Sequence, residues 1–316
     1  INSLENKMKR HNLFNLLFGG LLFAGAFLSS CSDNDLKEEN ISGVRMLTFD
    51  VGSGFDESAD EQGRSLPEKN DTIYQDLGNG MKIEAVIEED KTGNSRGYEQ
   101  VSNGVAVLAI VYNIATNRVH SVQNLMVNSG RLTCMVPDDR NVKIVFYSYN
   151  TSTTPTTSLV ENDPITTFDT ANSAILFGKD VMRAESIEVT PLTTSLGTVI
   201  FKHMFPKIRT VMTANKKFTH FIVMIDDGSA RRHAAINVVL GTVTPDEDPV
   251  GVLMHGYGTG STTVTSDFEF FIPVDTESHL LSFTQVDHTA VYVPSIPLNK
   301  RFESGHSYTL KVTLKK

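Results

Sequence analysis

YTLKVTLK, Tyr308 to Lys315, alternates at every step. Tyr308, Leu310, Val312 and Leu314 fall on one face, and Thr309, Lys311, Thr313 and Lys315 on the other. A period of two belongs to a strand with one face in the core and one in water. MKIEAVIE, residues 81–88, repeats the pattern: Met81, Ile83, Ala85 and Ile87 oppose Lys82, Glu84 and Glu88. Working outward, strand-like runs recur at 44–50, 104–112, 119–126, 131–136, 142–149, 198–203, 218–225, 234–240, 264–273 and 288–293. Turn signals separate them: NG at 79–80 and 103–104, DD at 138–139, DDG at 226–228 and PDEDP at 245–249. No long stretch beyond the N-terminal segment has helical spacing, so the pattern predicts an all-β chain of sandwich class. The Thr/Pro/Asn-rich run 150–170 reads as a long surface loop. A composition shift near Arg183–Glu188 suggests two domains, 41–186 and 187–316.

The N-terminal segment has a different logic. Met8, Lys9, Arg10 and His11 form a basic patch, and Leu13–Leu28 form an apolar run broken only by Asn15, Gly19, Gly20 and Gly25. That run is short for a membrane span, which takes about 20 apolar residues, and suits a signal peptide. It ends in LSSC, Leu28–Cys31, which resembles the lipobox of bacterial lipoproteins. The resemblance implies cleavage between Ser30 and Cys31, with lipid carried on the Cys31 thiol. Residues 1–30 are then a signal peptide, within which 1–7 read as an upstream extension before Met8. Residues 31–40, CSDNDLKEEN, are an acidic tether. A single acyl chain holds a protein only marginally, at about 0.8 kcal/mol per buried methylene, so stable anchoring takes more than one.

Residues 31–316 number 286, enough for one large or two ordinary domains. The net charge of −9 is uneven, because Asp33–Glu61 carries nine acids against two bases and leaves only −2 for the rest. With no basic stripe, nucleic acid is not an expected partner. Once Cys31 is acylated, Cys134 in LTCMV is the remaining cysteine. It cannot form an internal disulfide, and among Leu132, Met135 and Val136 it reads as a core thiol and not a nucleophile.

No constellation for chemistry emerges, and neither an enzyme nor a cofactor is expected. The nine histidines show no pair at metal-ligand spacing. His203 in VIFKHMF and His220 in FTHFIV read as core or sheet-face residues. HGYGTGS, His255–Ser261, lacks dinucleotide-loop spacing and reads as a flexible hairpin loop. DVGSGFDESADE does not fit the calcium-loop pattern, and no G-x-S-x-G is present. Trp is absent, which weakens a glycan-platform reading without removing it, since Tyr can stack on sugars. Asp71-Thr72-Ile73 and Asp169-Thr170-Ala171 resemble a three-residue O-glycosylation motif of Bacteroidetes.

Several strings together resemble one family. They are the lipobox with its acidic SDND, GVAVLAIVYN at 104–113, VKIVFYSYNTS at 142–152, LFGKDVMRAE at 176–185, VIFKHMFPKIRTVMTA at 199–214 and FESGHSYTLKVTLKK at 302–316. Their order and spacing are similar to the fimbrillin-like lipoproteins, the type V pilins of Bacteroidetes. The resemblance implies two tandem transthyretin-like β-sandwiches and a fimbrial subunit of the cell surface serving adhesion. Its partners would be other fimbrial subunits joined by donor-strand insertion, the outer membrane through the Cys31 lipid, and a host protein or glycan. In that family an arginine-specific protease removes the first strand, and a neighbour's strand fills the groove. Two arginines suit the cut: Arg96 in KTGNSRGYEQ, ranked first because removal up to it clears everything before 104–112, and Arg64 in DEQGRSLPEK. Arg45 lies inside an expected strand. Anchor subunits keep the first strand, so an unprocessed chain remains open. The last strand-like run ends at Leu314 with no spare strand after it, which points to a tip or anchor. The competing reading is a surface glycan-binding lipoprotein.

Overall fold

The structure, a computed structural model, describes residues 43–54, 72–78, 80–90, 99–165, 167–168, 176–274, 279–287, 289–291, 296–298 and 300–315. Every regular element among them is a strand. In chain order these are β1 (Val44–Gly54), β2 (Ile73–Gly78), β3 (Met81–Glu89), β4 (Glu99–Gln100), β5 (Ala106–Asn113), β6 (Arg118–Met126), β7 (Arg131–Pro137), β8 (Val142–Ser148), β9 (Thr167–Phe168) and β10 (Met182–Glu185). They continue with β11 (Thr198–His203), β12 (Lys207–Arg231), β13 (Ala234–Asn237), β14 (Val243–Pro245), β15 (Pro249–Thr265), β16 (Glu269–Phe270), β17 (Ile272–Pro273), β18 (Leu280–Val286), β19 (Thr289–Val291), β20 (Ile296–Pro297) and β21 (Ser307–Lys315). The all-β expectation holds.

Two large sheets build two sandwich cores. The first runs β4-β1-β11-β10-β8-β5-β6, with β7 attached to β1. Its core gathers Leu47, Phe49, Val107, Ala109, Leu132, Cys134, Ile144, Phe146 and Phe201. The second runs β19-β18-β12-β21-β3-β2, with β15, β16 and β17 on β12 and β20 on β18. Its core joins Ile83, Phe221, Val223, Met254, Phe271, Leu310 and Val312. A third, small sheet, β14-β13-β9, covers the outer face of β5 and β8. Those two strands are therefore buried on both faces: Val107 and Phe146 point into the first core, while Leu108 and Tyr147 point into the third cluster. This is why AVLAIVY and IVFY read as unbroken apolar runs instead of alternating.

Strands on either side of position 186 contribute to both large sheets. β11 joins the first, and β2 and β3 join the second. The two runs that revealed the fold lie side by side. β3 and β21 are antiparallel neighbours, with Leu310 opposite Ile87 and Val312 opposite Ala85. β12 flanks β21 on its other edge, running parallel.

Two expected turns prove to be bulged strand. The DDG at 226–228 lies inside β12, where Ile225 pairs with Val252 and the next register pair is Ala230 with Val250, so the strand swells without reversing. His255–Ser261, expected as a hairpin loop, lies inside β15. Tyr257 pairs with His220 and Ser261 with Phe218, so four steps on β15 match two on β12. Two of its three glycines are set by packing, and the third, Gly260, by a φ of +77°. A Cβ on Gly256 would sit 2.0 Å from the Phe221 ring, and one on Gly258 would sit 2.7 Å from Val264. PDEDP, also expected to turn, carries the end of β14 and the start of β15.

Candidate functional site

β1 is held between strands of the first sheet. Its sequence, VRMLTFDVGSG, puts Leu47, Phe49 and Val51 on one face, at 1, 1 and 3% exposure, and Met46, Thr48 and Asp50 on the other. The strand bridges two parts of the first sandwich. Over Val44–Asp50 it runs antiparallel to β7, with Leu47 opposite Cys134 and Phe49 opposite Leu132. Over Asp50–Gly54 it runs parallel to β11, and Gly52 and Ser53 also pair with β4. The Phe49 and Phe146 rings lie 5.4 Å apart, so β1 supplies part of the aromatic centre of the core.

β7 depends on this placement. β6 and β7 are joined by a tight turn at Asn128–Arg131, with Ser129 and Gly130 at positive φ. Beyond the turn they diverge, and among the described residues β1 is the strand that β7 pairs with. The opposite edge of β7 is capped by a side chain. The Gln123 amide donates to the Met135 carbonyl at 2.7 Å and accepts from the Met135 N–H at 2.9 Å. One glutamine thus satisfies the two backbone groups that a neighbouring strand would have taken. The slot between β7 and β11 is therefore strand-shaped, apolar at alternate positions and lined by unpaired backbone groups when empty.

Side-chain ties hold β1 in that slot. The Arg45 guanidinium donates to the carbonyls of Thr190, at 2.5 Å, and Thr193. This arginine, set inside a strand as the sequence indicated, is occupied by the loop between β10 and β11. Thr48 and Thr133 hydroxyls meet at 2.9 Å across the outer face. Arg131 and Asp50 form an exposed ion pair at 3.3 Å, which in water adds little, about 0–1 kcal/mol. Met46 and Met135, a cross-strand pair, stay exposed on the same outer face.

Cys134 sits fully buried beneath Leu47, and burial pushes its thiol up to about 12, so it is held as an inert core thiol, as the sequence indicated. His203 is buried, with Nδ1 2.5 Å from Asp180 Oδ1, and His220 is buried with its ring 4.7 Å from that of Tyr257. Both fit the sheet-face reading. The described residues contain no cluster of His, Cys, Asp or Glu arranged to hold a metal ion, and no helix long and apolar enough to cross a membrane.

Ser30, Cys31, Arg64 and Arg96 lie outside the described residues, as do Asp71 and the Asp169–Ala171 motif. The inner face of β1 and the Gln123 cap were not singled out from sequence. Alternation marked β1 as a strand but could not name its neighbours. A lone glutamine inside an alternating run carries no signal until β7 is placed beside it.

No protein-family model matches the sequence, and no curated protein does. Among solved structures, the chain is similar to a candidate cell adhesion protein from Bacteroides ovatus, at 13% identity and a TM-score of 0.49 over 86% of this chain and 93% of that one. It is similar to a fimbrial protein from Bacteroides vulgatus, at 14% identity and a TM-score of 0.39 over 68% of this chain and 92% of that one. The fimbrial anchor protein Mfa2 from Porphyromonas gingivalis aligns at 9% identity and a TM-score of 0.36 over 80% of this chain and 83% of that one. Likeness of this degree does not say what a chain binds.

Proposed function

We propose that this chain is a non-enzymatic subunit of a cell-surface fimbrium, with β1 a resident strand that a neighbouring subunit's strand replaces. The observation that carries the reading is the slot. β1 brings three fully buried large side chains, Leu47, Phe49 and Val51, and is the strand partner of β7. Each such side chain is worth roughly 1.5–3 kcal/mol when buried. Losing β1 without replacement would uncover this apolar surface and an unpaired edge, so a replacement strand is strongly favoured. Replacement needs an extended peptide with apolar residues at every second position, running antiparallel to β7.

In this reading Ser30 and Cys31 flank the signal cleavage, Cys31 carries lipid at the outer membrane, and Arg96 or Arg64 is where the first strand is cut away. β21 lies between β12 and β3, with Leu310 and Val312 fully buried, so it is committed to its own sheet and is not a strand for donation. In this reading the chain is a terminal subunit, a tip if β1 is cut away and an anchor if β1 is kept. A host protein or glycan would be met by the terminal subunit itself.

Peptide exchange tests the slot. A chain lacking residues 31–54 is expected to bind a labelled peptide of residues 44–54, and to bind a Phe49→Asp peptide at least tenfold more weakly, since burying an unpaired charge opposes insertion. Failure to bind either peptide by a folded truncated chain would sink strand replacement.

The glycan reading has one feature in its favour. An open cleft of 270 Å³ is lined by Tyr74, Gln75, Asp76, Lys82, Glu84 and Lys315, with Tyr74 exposed. Glycan-array binding that is lost in Tyr74→Ala would support it.

A further inference from the structure

β1 is tied to a loop as well as to strands. Arg45 shares the parity of Leu47, Phe49 and Val51 and leaves β1 on their face, at the rim of the first core, with Val136 opposite it. Its guanidinium reaches the loop between β10 and β11 and donates to the carbonyls of Thr190, at 2.5 Å, and Thr193. Those two carbonyls belong to one turn. The Thr193 N–H donates to the Thr190 carbonyl at 3.0 Å, and the Thr190 N–H donates to the Thr193 hydroxyl at 3.0 Å. The loop is rooted on both sides of the turn. Val189 and Leu196 are buried in the first core, and Val189 exchanges two backbone hydrogen bonds with Val142. Between these roots Leu192 stands 90% exposed at the tip.

The turn offers a pair of acceptors to a planar cation. Arg45 is half-buried, and its Nε is buried without an acceptor. Among the described residues no carboxylate is paired with it, so two backbone carbonyls answer its charge. Hydrogen bonds from a charged donor are about twice as strong as neutral ones. Without Arg45 the Thr190 carbonyl keeps the Thr193 N–H, but the Thr193 carbonyl keeps no partner among the described residues. A strand with an apolar residue at this position would leave that carbonyl unanswered, and one with an acid would set a carboxylate against two carbonyl oxygens. A lysine presents its charge as a point and lacks the fork that spans two acceptors. The chemistry of the turn selects a guanidinium.

We propose that the Thr190–Thr193 turn is a guanidinium-recognition site, and that it sets the sequence of the strand the slot accepts. That strand carries an arginine two positions before the first of three alternating apolar residues, as Arg45 precedes Leu47, Phe49 and Val51. The statement about the partner rests on the strand-replacement reading, whereas the site itself does not. Alternation alone does not tell one strand from another. β3 and β21 alternate in the same way, but Met81 stands two positions before Ile83, Ala85 and Ile87, and Tyr308 two before Leu310, Val312 and Leu314. The turn therefore discriminates against either of these strands from a second copy of the chain.

Chemical rescue in the full chain tests the site. In Arg45→Ala the Thr193 amide is expected to exchange hydrogen roughly tenfold faster than in wild type, through loss of hydrogen bonds from a charged donor. N-ethylguanidinium is expected to restore its protection, and ethylammonium at the same concentration is not. The amides of Val107–Val111 in β5 report that the body stays folded. Equal effects of the two cations, or an unchanged Thr193 amide in Arg45→Ala, would overturn the site. Should Arg45→Ala lose the fold, the same amide is read in Arg45→Lys, where wild-type protection would overturn it. The partner is tested by displacement from the full-length Phe49→Ala chain, whose resident strand is weakened. A labelled peptide of residues 44–54 is expected to displace that strand, and the same peptide with Arg45→Met to do so roughly tenfold less readily. Equal displacement by the two peptides overturns the sequence requirement and leaves strand replacement standing. Displacement by neither sinks the strand-replacement reading, and the partner with it, whether or not rescue succeeds.

Discussion

At the scale of single residues, Phe49 concentrates the energetics of the slot. It is fully buried, and its ring packs on Phe146. Phe49→Ala should cost about 3–5 kcal/mol of unfolding free energy, measured by denaturant titration. Met46→Lys, on the exposed face of the same strand, should change it by less than about 0.5 kcal/mol. Cys134 makes a second residue-scale prediction. Burial pushes its thiol up to about 12, so it should resist thiol reagents at neutral pH while β1 is seated. A chain emptied of β1 should label far faster, because Leu47 is the side chain opposite Cys134. Equal labelling rates in the two forms would show that β1 does not shield this core.

At the scale of elements, glycines mislead when read without their neighbours. The string HGYGTGS has the composition of a loop, yet Gly256 lies opposite Phe221 in a strand pair. It is glycine because the Phe221 ring takes the space a Cβ would fill. Gly256→Ala should therefore destabilise by about 1–3 kcal/mol through a forced shift of that ring. Gly228 lies in the β12 bulge, and a Cβ there would meet nothing within 4 Å, so Gly228→Ala should be close to neutral. Thermal melts of the two variants compare them directly. Alternation was enough to find β3, β7, β11 and β21, because each has one wet face. It missed most of β12 and β15, where bulges shift the phase of the pattern, and it missed β2, whose apolar positions Ile73 and Leu77 are separated by Gln75.

At the scale of the whole molecule, sequence neighbours and sheet neighbours part company. Local pattern says that 81–89 is a strand but not that its partner is more than two hundred positions away, so the crossing of β2 and β3 into the second sheet was not legible. Nor was the pairing of β1 with β7, whose other edge meets the Gln123 side chain at Met135. What could be read was the all-β class, the buried cysteine and the closing strand. The crossing makes a prediction of its own. Deleting residues 307–316 removes the strand between β12 and β3 and should unfold the second sandwich, whereas deleting residues 31–54 should leave it protected. Hydrogen exchange across Ile83–Ile87 and Val223–Ile225 distinguishes these outcomes.

β1 has both of its long neighbours fixed in direction, parallel to β11 and antiparallel to β7. Any strand that takes its place inherits that heading, since reversing it would break the hydrogen-bond pattern with both neighbours at once. An assembly joined through this slot is therefore head-to-tail and has a polarity, with two ends that are not equivalent.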